Sequence, residues 1–181
     1  MSEHKKLTIQ EMNRLSTEAF HSAEKLPFVA VLDNIRSRHN IGAVFRTADA
    51  FRMEGVYLCG ICGCPPDAEI HKTALGAEES VSWTYIKDTL DAVKQLQANG
   101  YKVYAIEQAH NSITLEEFAQ QITNNPLKIA VVFGHEVFGV QQEVIDACDG
   151  CIEIPQYGTK HSLNVSVTAG IVLYTISQAL R

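Results

Sequence analysis

The chain has 181 residues, of which 46% are apolar and 20% charged, and its formal net charge is −6. That length and balance describe a globular protein that can bury a substantial core, and they argue against a disordered chain or a nonspecific cationic nucleic-acid coat. Met1 to Phe20 contains Lys5 and Lys6 but no apolar core of signal-peptide length, so a cytoplasmic protein is expected.

In chain order, Thr8 with Glu11 three residues on has the pattern of a helix-capping pair. It predicts an N-terminal helix with Ile9, Met12, Leu15 and Ala19 as its apolar stripe, ended before Pro27. Residues 1–26 thus form a helical extension of one domain spanning 1–181. Phe28 to Leu32 is a short continuous apolar run, right for a strand buried on both faces. A polar loop with Arg36 and Arg38 then feeds a helix over 41–51. Further strands are expected at about 56–61, 81–86, 101–107, 127–133 and 151–154, with helices near 70–79, 88–98, 115–122, 140–147 and 163–180. This alternation predicts an α/β domain with a mostly parallel six-stranded sheet and helices on both faces. In such sheets ligands bind beyond the carboxyl ends of the strands, so the segments after each strand carry the functional reading.

Five cysteines include two Cys-x-x-Cys pairs, Cys59/Cys62 and Cys148/Cys151, with Cys64 left over. That spacing suits a tetrahedral zinc site. However, Cys59 lies in an apolar strand-like run and Cys148 near a helix end, so buried thiols in a reducing compartment are expected and no metal.

Three post-strand segments stand out. After Leu32, Asn40 is placed to cap the following helix, Gly42 permits close approach to its first turn, and Arg36, Arg38 and Arg46 offer guanidinium groups suited to phosphate. After Phe133, Gly134 and Gly139 bracket Glu136 in a loop that must turn sharply beside a ligand. After Ile154, Pro155 ends the strand, Gly158 gives the loop freedom, and Ser162 is positioned to cap a final helix that also contains Asn164. Ser162 to Leu180 carries no charge and is about as long as a membrane span, but Asn164, Ser166, Thr168, Thr175 and Gln178 interrupt it. A helix wedged between the sheet and a second subunit is expected, with no membrane association.

Taken together, these segments resemble the SpoU, or TrmH-like, family of RNA ribose 2′-O-methyltransferases within the SPOUT class. Asn34 to Asp49 looks like the first family motif, Val131 to Val140 the second, and Ile152 to Tyr174 the third, in the family's order. The resemblance implies an S-adenosylmethionine-dependent enzyme acting on tRNA or rRNA, a homodimer joined through the last helix, and a C-terminal trefoil knot. It places Gly134, Ile154, Leu163 and Ser162 at the cofactor, and Asn40, Arg46, Glu136, Ser162 and Asn164 in catalysis or substrate binding. No RNA-binding domain is recognisable before the first strand. A basic cleft is expected to draw on Arg36, Arg38, Arg46, Arg52, Lys160 and His161.

Overall fold

The computed structural model describes residues 4–125 and 127–181. Its seven strands are β1 (Leu26–Asp33), β2 (Met53–Cys59), β3 (Trp83–Ile86), β4 (Lys102–Ile106), β5 (Ile113–Thr114), β6 (Ile129–Phe133) and β7 (Gly150–Glu153). They form one sheet in the order β3-β2-β1-β6-β4-β7-β5, and every pairing is parallel. The expected count of six is corrected by β5, which registers Ile113 and Thr114 against Ile152 and Glu153. Two residues are too short a run to leave a sequence pattern.

The helices are α1 (Thr17–Ser22), α2 (Arg38–Ala50), α3 (Ala68–Ala74), α4 (Ala77–Ser80), α5 (Thr89–Ala98), α6 (Leu115–Asn124), α7 (Gln142–Ala147) and α8 (Val165–Ala179). Strand alternation sorts them into two layers. Phe28, Ala30 and Leu32 of β1 face Ile41, Val44 and Phe45 of α2 and Val172, Leu173 and Ile176 of α8. Val29 and Val31 face the opposite layer, which contains Ala92, Val93 and Leu96 of α5 and Val144 of α7. β1 and β6 are central, and all five residues of β6 are buried, as expected for a strand covered on both sides.

The N-terminal helix expected from residue 8 onward is not formed. Thr8 and Glu11 do make their reciprocal bonds, with Glu11 N–H donating to Thr8 Oγ1 at 3.3 Å and Thr8 N–H to Glu11 Oε2 at 2.6 Å. The chain nevertheless only turns there, Asn13 takes φ +49°, and Ile9 is 80% exposed. A capping pair cannot hold so short a helix without a surface to pack on. The helix that does form is α1, capped by Ser16 and anchored by buried Phe20. The expected helix over 70–79 is split into α3 and α4 because Leu75 and Gly76 both take positive φ, 54° and 93°.

The first turn of α2 packs directly on α3, so the partner that Gly42 admits is that helix. A Cβ at Gly42 would lie 2.2 Å from Thr73 Oγ1 and 2.3 Å from the Ile70 carbonyl oxygen. Gly42→Ala should therefore destabilise the fold. The clash belongs at the upper end of the roughly 1–3 kcal/mol of overpacking, above the approximately 1 kcal/mol that alanine gains over glycine in a helix. A lower urea midpoint at unchanged m-value is the expected result.

Candidate active site

β1, β4, β6 and β7 end on the same side of the sheet, and beyond them lies an open cleft of about 1110 Å³. Its walls are the segments after β4, β6 and β7, including Glu107, Gly134 to Val140, Ile154, and Ser162 to Val165. Gly134, Glu136, Ile154, Ser162, Leu163 and Asn164 all line it.

Glu136 is the hub. Its Oε2 accepts from the Arg36 N–H at 3.0 Å, and its Oε1 accepts from the Ser37 N–H at 2.9 Å and from Asn40 Nδ2 at 3.2 Å. Asn40 Oδ1 in turn accepts from Asn164 Nδ2 at 3.4 Å. One hydrogen-bonded chain thus joins all three motifs. Burial pushes the Glu136 carboxyl up, but the N–H groups of Arg36 and Ser37 together with the Asn40 amide overcome it and hold the group below its ordinary value.

The two capping expectations are corrected. Ser37, not Asn40, caps α2 by accepting from the Asn40 N–H, which leaves the Asn40 side chain free to reach Glu136. Asn164, not Ser162, caps α8: its Oδ1 accepts from the N–H groups of Ser166 and Val167, and its amide nitrogen turns to Asn40. Ser162 lies in the preceding loop, exposed at the cleft. The phosphate reading of the 34–40 loop is also changed, since Glu136 already occupies the N–H groups of Arg36 and Ser37 that an external anion would use. Arg38 is engaged as well, in an ion pair with Asp67 at 2.7 Å.

Arg46 is not brought to this cleft. It lies six residues beyond Asn40 on α2, about 9 Å along the axis, exposed on a flank with Thr47, Phe51, Lys72, Thr73 and Gly170 of α8. Beside it the outer face of α8 leaves Val167, Ile171 and Tyr174 exposed. Among the described residues the cleft lining holds Glu107, Glu136, Asp146 and Glu153 and no lysine or arginine, and of the six residues expected to form a basic cleft only His161 lines it.

Gly134 has a structural task beyond lining the wall. A Cβ there would sit 2.0 Å from the Gly139 carbonyl carbon and 2.1 Å from Val140 N, so only glycine lets the loop close through the paired bonds of His135 and Gly139. At Gly139, with φ +68°, a Cβ would meet Glu107 Oε2 at 2.1 Å. The sequence reading misses Glu107, although a lone carboxylate ending an apolar strand is a legible signal. Its Oε2 accepts from the Val140 N–H at 3.1 Å and its Oε1 from the Gln108 N–H at 2.9 Å, while Gln108 Nε2 donates to the His161 carbonyl at 2.8 Å. Buried Asp33, at the end of β1, likewise accepts from Thr89 Oγ1 at 2.6 Å and the Gln141 N–H at 3.3 Å.

Cys59 and Cys62 are buried in the core, whereas Cys64, Cys148 and Cys151 are half-buried. Burial pushes the Cys59 thiol up to about 12 and Cys62 to about 11. Cys62 Sγ accepts from the Ile35 N–H and donates to the Leu32 carbonyl. Among the described residues no group of three or more histidine, cysteine or acidic side chains is arranged to hold a metal.

Residues 27–174 match the model of the SpoU rRNA Methylase family. A protein of Staphylococcus haemolyticus (strain JCSC1435) assigned to the TrmH family of tRNA/rRNA methyltransferases is 31% identical over 153 residues, which cover 84% of this chain and 59% of that relative. The chain therefore spans about three-fifths of the length of the curated relatives it matches. Among solved structures, the A. aeolicus TrmH/SpoU tRNA modifying enzyme superimposes with a TM-score of 0.76 at 24% identity, covering 90% of this chain and 79% of that one. The AdoMet-bound rRNA methyltransferase from Sinorhizobium meliloti also gives 0.76, at 25% identity over 93% of this chain and 62% of its own.

Because Glu136 is anionic and hydrogen-bonded only in the fold, its lowered pKa makes a contribution present above about pH 4.5, the ordinary value, and lost as pH falls through the folded value. Glu136→Gln has one acceptor oxygen where the carboxylate has two. Urea melts from pH 7 down to pH 3 should show the variant less stable at neutral pH, with the difference from wild type shrinking as the pH falls below about 4.5.

Proposed function

The chain belongs to the SpoU rRNA Methylase family, and from that premise we propose that it transfers a methyl group from S-adenosylmethionine to a ribose 2′-hydroxyl of tRNA or rRNA. The observation that carries this reading is the chain of hydrogen bonds from Glu136 through Asn40 to Asn164, which unites three sequence-distant motifs at one cleft. The cleft suits the cofactor. Its volume slightly exceeds the roughly 300–1,000 Å³ usual for small-molecule pockets, leaving room for part of a nucleotide as well. Its acidic lining favours a ligand that bears a sulfonium and an ammonium, and Ile154 and Leu163 offer apolar surface for an adenine. When bound, S-adenosylmethionine supplies an electrophilic methyl group.

In this reading Gly134, Ile154, Leu163 and Ser162 form the cofactor wall, and Glu136 fixes the 36–40 loop so that Asn40 and Asn164 present their amides to the ribose. The 2′-oxygen forms the new C–O bond as the S–C bond breaks, and its proton must leave as it does so. Arg46 either takes that proton or clamps a neighbouring phosphate while water takes it. Its place beside Gly170, outside the cleft of its own chain, supports a homodimer joined through α8 in which Arg46 serves the partner's cleft. The exposed apolar face of Val167, Ile171 and Tyr174 supports the same interface. This division also separates charges, with an acidic cofactor cleft and cations for RNA reaching in from elsewhere.

We assign the C-terminal trefoil knot of the class to this chain as well. Late strand β7 is inserted between β4 and β5, both earlier in sequence, which supports that threading. The free thiols, pushed up by burial at Cys59, fit the reducing cytoplasm that we propose for the protein. Among the described residues no helix is long and apolar enough to cross a membrane.

Arg46→Ala should leave cofactor affinity unchanged by calorimetry yet cut methylation about a hundredfold, roughly 2.7 kcal/mol of transition-state stabilisation. Arg46→Lys separates the two roles. Lysine keeps the charge, loses the planar fork and has a pKa near about 10.4. Substantial single-turnover activity at raised pH indicates proton transfer, whereas little activity at any pH indicates bidentate positioning. Wild-type methylation by Arg46→Ala at saturating RNA and cofactor would remove Arg46 from the site.

The interface has its own test. Ile171→Glu combined with Tyr174→Arg should give a monomer at micromolar concentration in light scattering, with cofactor affinity kept and methyl transfer lost. A monomer that methylates at the wild-type rate is incompatible with Arg46 acting across the interface.

A further inference from the structure

The segment between Gly134 and Gly139 carries a feature that cofactor binding does not explain. Val137 is 72% and Phe138 81% exposed, both in the wall of a cleft whose other apolar residues are sheltered or only partly open. Phe138 is also held in place. Its ring stacks on His135 with centroids 4.9 Å apart and an interplanar angle of 29°. His135 is itself fixed, since its Nδ1 accepts from the Val137 N–H at 3.0 Å and the Phe138 N–H at 3.4 Å, and its backbone pairs with Gly139 in both directions. One face of the phenyl ring is covered by an imidazole anchored to the backbone, and the ring is otherwise open to solvent, two residues from the carboxylate that links the three motifs.

We propose that Phe138 is a stacking platform for a nucleobase of the RNA substrate beside the ribose to be methylated, and that the substrate is therefore read at an unpaired position. Every base has a π-face, and aromatic side chains are the usual means of holding a base that has left its helix. A preorganised ring loses little freedom on binding. A base inside a duplex presents only its edges to the grooves, so an open ring face selects loops or single strands over paired RNA. The platform also provides what the acidic cleft lacks, because stacking holds a nucleotide without requiring a cation in the lining. The proposal rests on the reading of this cleft as an RNA-methylating site.

The test uses the whole 181-residue chain and its tryptophan content. Trp83, the single tryptophan, lies on edge strand β3, so Trp83→Phe combined with Phe138→Trp places one reporter at the cleft. Bulk tRNA and fragmented rRNA containing loops are the titrants, with a fully paired RNA duplex as the control. Quenching of the emission of the indole introduced at position 138 by a loop-containing RNA, but not by the duplex, is expected. Phe138→Ala should weaken binding of that RNA about tenfold, Phe138→Tyr should restore it, and Phe138→Leu should not, while cofactor affinity by calorimetry and the sizing profile stay at wild-type values. Full rescue by leucine, equal quenching by the duplex, a changed cofactor affinity, or a shift in assembly state would each overturn the platform. The two readings can fail separately. RNA binding by the wild type without quenching at position 138 sinks the platform alone, whereas no RNA binding by the wild type sinks both, and calorimetry with S-adenosylmethionine then shows whether the cofactor assignment survives.

Discussion

The structure around the cleft depends on one carboxylate. Glu136 stands on a loop after β6 yet satisfies the backbone of Arg36 and Ser37 a hundred positions earlier, and through Asn40 it reaches Asn164 at the start of α8. Each of these groups would be costly to leave unsatisfied where water is partly excluded. Removing the carboxylate therefore affects three loops at once. The interaction is also possible only because a parallel sheet brings the carboxyl ends of β1, β6 and β7 to one edge.

Glycines and carboxylates cooperate in shaping that edge. Gly134 and Gly139 let the backbone pass where a Cβ would collide with the opposite limb of the loop or with Glu107, and Glu107 then holds the passing N–H of Val140. Asp33 does the same for Gln141 at the other end. The loop is fixed from both sides by acidic groups that accept backbone hydrogen bonds, so its conformation is set before any ligand arrives. The same anchoring groups give the cleft its negative character, which would suit the cationic cofactor of the proposed function.

The separation of Arg46 from the cleft gives the proposed function its structural meaning. A guanidinium inside an acidic pocket would be drawn to the carboxylates, and its fork would be unavailable to RNA. On the outer flank of α2 it lies beside the exposed face of α8, where the proposed homodimer would bring a second chain and its RNA. In the proposed function, cofactor and phosphate would then be held by regions of opposite charge without mutual interference.

Much of this was legible in the residues themselves. Apolar runs such as Ile129 to Phe133 specified buried parallel strands, because only a strand covered on both faces has no polar side. Gly134 and Glu136 stand out because they lie just past the carboxyl end of a strand, a criterion that depends on fold class alone, whereas the roles of Ile154, Ser162, Leu163 and Asn164 came from the family resemblance. Tertiary structure decided what depends on partners distant in sequence. It chose Ser37 over Asn40 and Asn164 over Ser162 as caps, because Asn40 and Asn164 also had to reach across the cleft. It left the Thr8 segment a turn for want of a surface, and it added β5 because β7 offered an edge to pair with. It turned Glu107 from an apparent strand residue into a loop anchor and placed Arg46 outside the cleft. Periodicity records which face of an element is buried, whereas the partner of a polar side chain is fixed only when the elements are assembled.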